Sequence, residues 1–332
     1  MKKIRIGIVG MGFIAGWHYN GFAVQEDAEI VGMCQDFHGT SEQISEKKKQ
    51  LEKSCADFGI KPYNDFDEMV NDPNIDALII GSINPYHYDQ IIAGLNAGKH
   101  LLVEKPVVTD LNQIDPIIKL AKEKDKIVFP AHNFAYRGAV KKAKEVLESG
   151  VLGKIIHSSF VISHTLIPAH QTGWRAKKEL GTGGTLIDSG HHIIYQCLYL
   201  LGMPVAIHGF TSKLVLTNMD CEDTAQVNMQ YADGSLCFLM QSWASGNADG
   251  VNGFRILGEK GNLVITDALY VNGEKISDDV EYGNSFVNQA RAFLDSVKTG
   301  IEPISTLEDV RNTLKIVFST YESAEKNIVI RF

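Results

Sequence analysis

The chain has 332 residues, 44% hydrophobic and 22% charged, enough for two globular cores and too ordinary in composition for a fibrous or low-complexity protein. A formal net charge of −8 excludes the basic surface that nucleic acid or an anionic membrane rewards, and no apolar run approaches bilayer-spanning length. Five cysteines without metal-type spacing (Cys34, Cys55, Cys197, Cys221, Cys237) suit a reducing compartment, and Met1-Lys2-Lys3 is not followed by an export signal, so a cytoplasmic protein is expected.

Ile4 to Val9 reads as a buried first strand, and it runs straight into Gly10-Met11-Gly12-Phe13-Ile14-Ala15, the form G-x-G-x-x-A. In such a turn Gly10 permits the tight bend, Gly12 lets backbone approach a pyrophosphate, and Ala15 keeps the next helix close to the sheet. Phe13 and Ile14 open that helix, whose N-terminus offers unpaired N–H groups to phosphates. The second strand, Glu29 to Cys34, should end in an acid that holds the adenosine ribose; here Gln35 stands at that point and Asp36 follows. Asp36 turned toward the ribose favours NAD, whereas Gln35 tolerates a 2′-phosphate, although no arginine stands beside it to pair with one. The lean is to NAD over NADP.

Ser41 to Phe58 reads as a polar helix carrying Lys47-Lys48-Lys49 on a solvated face, and Asp65 to Met69 as a short one. Ile75 to Ile80 is the next buried strand, delivering Ser82-Ile83-Asn84-Pro85-Tyr86-His87 to its carboxyl end, and a helix from Tyr88 to Ala97 follows. Gly98-Lys99-His100 then leads into the apolar run Leu101-Leu102-Val103, which ends in Glu104-Lys105-Pro106. Pro106 cannot continue a ladder, so Lys105 stands where the chain leaves the sheet, at the strand ends where open α/β sheets bind their ligands. A helix over Asn112 to Lys124 and a strand over Ile127 to Ala131 complete a doubly wound parallel sheet, expected to span residues 1–131.

Gly-Lys-His followed by Glu-Lys-Pro, downstream of a glycine-rich turn, closely resembles the signature of the glucose-fructose oxidoreductase / inositol dehydrogenase / MocA family, over almost the whole chain. The resemblance implies a nicotinamide-dependent oxidoreductase acting on a sugar, polyol or inositol hydroxyl. It implies that Ser82 to His87 lies against the nicotinamide ribose, with Asn84 and His87 matching and Ile83 replacing a proline, and that Glu104 and Lys105 join the cofactor contacts. A plain helix-start histidine remains the other reading of His87. In the segment after the last parallel strand Asn133 and Tyr136 match, while Gly138 replaces the family's proline and Ala135 a common arginine or tyrosine.

After Gly153 strands succeed one another: Ile155 to Ser163, Ala206 to Leu216, Thr224 to Tyr231, Leu236 to Trp243, then Phe254 to Leu257 and Asn262 to Thr266 around a Gly258-Glu259-Lys260-Gly261 hairpin. Asn272-Gly273 suggests another hairpin. An open, mostly antiparallel sheet of about six strands with helices on one face makes residues 132–332 an α+β substrate-binding and oligomerisation domain, with a C-terminal helix packing back on the first. Its other face needs a cover, which favours a homo-oligomer, dimer or tetramer.

Between the first two of these strands lies Trp174-Arg175 and then Gly183-Gly184, followed by a helix over Leu186 to Leu201 that Gly202 and Pro204 end. Asp188 and His192, four apart, share one face of that helix and suit one substrate; the neighbouring His191 diverges from them, so a metal site is not expected. This Asp-x-x-x-His is similar to the family's second signature, whose catalytic aspartate and histidine fall on Asp188 and His192, with Tyr195 where a further aspartate is frequent. In this reading His192 is the base for the hydroxyl proton, Lys105 stabilises the developing alkoxide, and Asp188 orients the substrate. Tyr136, Trp174, Arg175, His164 and His170 line the substrate loop, each with a bland alternative as packing or surface. Two other activities accompany the resemblance: an NAD-dependent glycosidase working through transient oxidation, and a non-catalytic cofactor-sensing regulator, against which stand the intact Lys105, Asp188 and His192.

Overall fold

The structure is a computed structural model and describes residues 3–35, 40–246, 250–278 and 282–332. The chain divides into two units, Met1–Asn133 with Tyr282–Leu307, and Phe134–Glu281 with Glu308–Phe332. No helix among the described residues is long and apolar enough to cross a membrane.

Strand and helix alternate through the first unit: β1 (Ile4–Val9), α1 (Phe13–Ala23), β2 (Ala28–Cys34), α2 (Ser41–Phe58), β3 (Lys61–Tyr63), α3 (Phe66–Val70), β4 (Ala77–Ile80), α4 (His87–Asn96), β5 (His100–Val103), α5 (Ile114–Lys124) and β6 (Val128–Pro130). All neighbours pair parallel, in the order β3-β2-β1-β4-β5-β6. A parallel sheet covered on both faces needs strands without a polar side, and Leu78, Ile79, Ile80, Leu101, Leu102 and Val103 are all fully buried. The strand order reverses between β1 and β4, so their carboxyl ends form the switch point where such sheets take ligands. The edge strand β3 has no counterpart in the sequence reading, since Lys61-Pro62-Tyr63 is too short and polar to show a period.

The second unit begins with α6 (Gly138–Glu148) and β7 (Ile155–Ser163), then α7 (Lys178–Gly181), α8 (Ser189–Leu201), β8 (Ala206–Ser212), β9 (Thr224–Gln230) and β10 (Leu236–Ser242). β11 (Gly253–Gly258), β12 (Asn262–Ile265), β13 (Ala268–Val271) and β14 (Glu274–Asp278) follow, then α9 (Tyr282–Thr299), α10 (Leu307–Lys326) and β15 (Ile330–Arg331). Among the described residues this sheet has nine strands, β14-β13-β12-β11-β7-β10-β9-β8-β15, against the six expected. The additions are short: β13 and β14 meet at Asn272-Gly273, both at positive φ, and β15 adds two residues to the edge. One pairing, β7 with β10, is parallel, so the sheet is mixed and not wholly antiparallel. β8 stops at Ser212 and not at Leu216, because the amides of Leu214, Val215 and Leu216 turn to the Asp223 carboxylate instead of to a neighbouring strand.

Although late in the chain, α9 belongs to the first unit, where it packs on α1. Gly21 makes the close approach possible: a Cβ there would stand 2.8 Å from the Phe286 carbonyl oxygen. Trp17 packs edge-on to Tyr282 and stacks on Phe286, and Arg291 pairs with Asp27 at 2.8 Å. It is this penultimate helix, and not the last one, that returns to the first unit.

Candidate active site

The glycine turn after β1 divides its labour as its spacing suggests. Gly10 sits at φ +98°, and a Cβ there would stand 2.5 Å from the Gly81 carbonyl oxygen, so only glycine fits between β1 and the end of β4. Gly12 caps α1 without any side-chain bond, and a Cβ at Gly12 would meet nothing within 4 Å, so the space over the helix N-terminus is open. The first turn of α1 carries no acid, leaving its N–H groups and dipole to an anion. Ala15 is buried, Ile14 half-buried, and Phe13 is 64% exposed at the rim of the turn. Gln35 is half-buried at the end of β2, while Asp36 lies outside the described residues.

Around the end of β5 the side chains hold the main chain in place. Glu104 is buried and its Oε1 lies 2.7 Å from Nε2 of His18 on α1, while its Oε2 accepts the N–H of Lys105 at 3.1 Å. Glu104 thus ties α1 to the main chain of the lysine that follows it. Lys105 itself is half-buried, and its peptide bond to Pro106 is cis. His87 is fully buried: its Nδ1 lies 2.9 Å from the Pro106 carbonyl oxygen and its Nε2 3.0 Å from that of Ser82. Burial holds this imidazole below its ordinary pKa, and the ring links the loop after β4 to the loop after β5. Asn84 is likewise buried, and the Ser82 hydroxyl donates to Gln90 at 2.6 Å.

In the second unit Asp188 is the N-cap of α8, one residue before Ser189, with its φ and ψ in the helical region. Its carboxylate accepts from Arg175 Nε at 2.9 Å, and the Arg175 guanidinium lies over the Trp174 ring at 4.3 Å. Asp188 is only 16% exposed, and its charge extends to two further loop residues. Both His164 and His170 are lowered first by desolvation, with the Asp188 carboxylate pulling the other way and, at His170, Arg175 adding to the lowering. Trp174, Arg175, Asp188, His164 and His170 therefore form one group. His192 is half-buried in the first turn of α8, its ring edge-on to Phe134 at 4.8 Å. Tyr136, expected at the substrate, is 2% exposed and is a core side chain with Lys141 over its ring.

Comparison with known proteins follows the same division. Residues 4–132 match the model of the oxidoreductase family with an NAD-binding Rossmann fold, GFO/IDH/MocA, and residues 140–264 match the GFO/IDH/MocA C-terminal domain. The chain belongs to the GFO/IDH/MocA family. It is accordingly an NAD(P)-dependent dehydrogenase acting on a CH–OH group. This GFO/IDH/MocA protein is 27% identical to a myo-inositol 2-dehydrogenase of Thermotoga maritima, with 97% of each chain covered. It is 24% identical to the scyllo-inositol 2-dehydrogenase (NADP(+)) IolW of Bacillus subtilis, with 99% and 96% covered. Its fold matches a levoglucosan dehydrogenase solved with NADH and levoglucosan at a TM-score of 0.86, 20% identity and 99% coverage of both chains.

Four residues of this family member that build the site escape a reading of the sequence. His18 holds Glu104, Glu222 and Tyr321 hold the Gly183-Gly184 turn, and Asp223 holds the loop after β8. Each acts on main chain far away in sequence, so no local spacing announces it. The available signal is two adjacent acids, Glu222-Asp223, directly before a strand with one apolar face, because carboxylates taken out of water persist only where partners satisfy them.

Proposed function

We propose that the protein transfers hydride between NAD and a secondary hydroxyl of a cyclitol or sugar, with Lys105, Asp188 and His192 as the acting side chains. The observation that carries this reading is the paired placement of Gly10 and Gly12 at the end of β1 and Lys105 at the end of β5, at the ligand-binding edge of one parallel sheet. The turn fits a dinucleotide: the open space over Gly12 and the uncapped N-terminus of α1 suit a pyrophosphate. When bound, the nicotinamide supplies the hydride acceptor. Ser82 and Gln35 stand at the strand ends that such a cofactor follows, and the absence of an arginine beside Gln35 favours NAD.

On the substrate side His192 takes the hydroxyl proton, an imidazole being the side chain suited to proton exchange near neutral pH. The role we assign to the Lys105 ammonium is to stabilise the charge that develops on the substrate oxygen. Asp188, kept ionised by Arg175, accepts hydrogen bonds from neighbouring hydroxyls, while the Trp174 ring offers an apolar face to a sugar's C–H groups. A polyol fits such a set, which mixes one carboxylate, one guanidinium and two imidazoles with an aromatic plane. The family relatives acting on inositols support the same class. The exposed face of the second sheet supports assembly into a homo-oligomer.

The test is a panel of cyclitols, sugars and 1,5-anhydro sugars run with NAD and with NADP, followed at the nicotinamide absorbance. Reduction of NAD by at least one polyol, faster than of NADP, is the expected result. Tight NADH binding with no turnover of any polyol would overturn the proposed reaction.

A further inference from the structure

Two adjacent carboxylates, Glu222 half-buried and Asp223 buried, absent from the residues assigned to the reaction, act on the main chain around both members of the Arg175–Asp188 pair. Glu222 Oε2 accepts the N–H of Gly184 at 3.0 Å, Glu222 Oε1 accepts the N–H of Leu186 at 2.9 Å, and the Glu222 carbonyl takes the intervening Thr185 N–H at 3.1 Å. Tyr321 on α10 donates its hydroxyl to Oε1 at 2.9 Å. Three successive amides are thus collected by one residue. The glycines make room for it: a Cβ at Gly184 would stand 2.0 Å from the Glu222 carbonyl oxygen, and one at Gly183 2.2 Å from the Tyr321 hydroxyl. Asp188 hangs directly from this turn, its N–H on the Gly184 carbonyl at 3.2 Å.

Asp223 organises the other partner. Its Oδ2 accepts the amides of Leu214, Val215 and Leu216 at 3.0, 2.7 and 2.9 Å. The loop so fixed runs on to Asp220, whose N–H bonds the Ala176 carbonyl at 2.9 Å, and to Cys221, whose thiol points at the Arg175 carbonyl at 3.6 Å. The Asp223 carbonyl also takes the N–H of Trp243 at 2.7 Å, and the Trp243 indole donates to Ser189, the first residue of α8, at 2.8 Å.

We propose that Glu222 and Asp223 are positioning residues for the reaction: Glu222 sets the main chain that presents Asp188, Asp223 sets the loop that presents Arg175, and together they fix the geometry in which substrate hydroxyls are held. The inference rests on the reading of Asp188 as a substrate-binding residue. Both carboxylates and the amides they hold belong to the second unit, outside residues 4–132 that match the NAD-binding model, so their loss acts on substrate terms and leaves cofactor affinity alone. A residue serving only general stability would not separate the two.

The experiment uses the full chain with NAD and the polyol that turns over fastest in the panel. Glu222→Ala lowers kcat/KM by about 100-fold, the scale of a lost positioning contact, while the NADH dissociation constant stays within about twofold. Glu222→Gln, which keeps one acceptor oxygen, recovers to within about tenfold of wild type, and it carries the test if the alanine variant does not fold. Hydrogen exchange at the amides of 184–186 accelerates in both Glu222 variants and is unchanged in Asp188→Asn, which gives the direction of action. Wild-type kcat/KM in folded Glu222→Ala, or unchanged exchange at the amides of 184–186 in Glu222→Gln, with Asp188→Asn inactive, overturns this inference alone. Normal turnover in Asp188→Asn overturns the reading on which it rests.

Discussion

In the first unit the functional positions are made by main chain, with Gly10 turning at φ +98° against Gly81, α1 opening uncapped over Gly12, and Lys105 standing where β5 runs out into a proline. In the second unit they are made by side chains acting at long range, with Asp188 at a helix cap rather than within the helix, Arg175 on a loop, and both held through Glu222 and Asp223 from the start of β9. A turn made by backbone tolerates almost any change of side chain except at its glycines. A loop held by a single buried carboxylate has one point of failure, because an amide left unsatisfied inside the protein costs about 1–3 kcal/mol.

The sharpest way to break the comparison is to remove the reacting group proposed for each unit. Lys105→Met and His192→Ala should each lower kcat by about 10²–10⁴-fold while NADH still binds. Wild-type turnover in either, measured with the panel's best substrate, would remove that unit from the chemistry. A narrower test sets the two glycines against each other. Gly10→Ala should lower unfolding stability by about 1–3 kcal/mol through its positive φ and the Gly81 contact. Gly12→Ala should unfold within about 0.5 kcal/mol of wild type yet bind NADH about tenfold more weakly, since its Cβ enters only the space kept for the cofactor. Thermal unfolding and NADH titration read both. If Gly12→Ala bound NADH normally, the phosphate assignment of the turn would fall.

His132 sharpens the comparison from the other side, being a side-chain anchor within the first unit. Its ring is buried with Nδ1 2.7 Å from the Ser305 hydroxyl, and burial, aided by the nearby Lys105 charge, lowers its pKa to about 3. The folded protein therefore keeps it neutral while the unfolded chain protonates it near the ordinary histidine value. Stability from this site is complete above about pH 6.5 and falls as the pH drops toward 3, by up to about 1.4 kcal/mol per pH unit. Urea midpoints at pH 7 and pH 5 should converge in His132→Gln; an unchanged difference would assign the acid sensitivity elsewhere. The smallest effect is expected at Arg175→Gln, where a partly buried pair is lost: about 1 kcal/mol in stability and about tenfold in kcat/KM. A gain in kcat/KM there would mean that Arg175 restrains Asp188 rather than orienting it.

Most of the first unit could be read before any coordinates existed. Its strands are unbroken apolar runs, its ligand turn is a glycine spacing, and its lysine is marked by the proline that ends β5, all of them local signals. The second unit was legible in its strands. It was not legible where partners are distant: the parallel β7–β10 pairing, the early end of β8 at Ser212, the cap position of Asp188, and the return of α9 to the first unit. Nor does pattern alone tell a buried side chain from a surface one: His87 and Tyr136 are buried.

What lay in the order of residues was therefore the glycine turn, the alternating parallel sheet and the candidates for the reacting groups, because period, glycine spacing and proline act over a few neighbouring bonds. What needed the folded chain was the aim of those groups. An ion pair such as Arg175–Asp188, or a carboxylate such as Glu222 gathering three amides, exists only once segments tens of residues apart are brought within a hydrogen bond of one another.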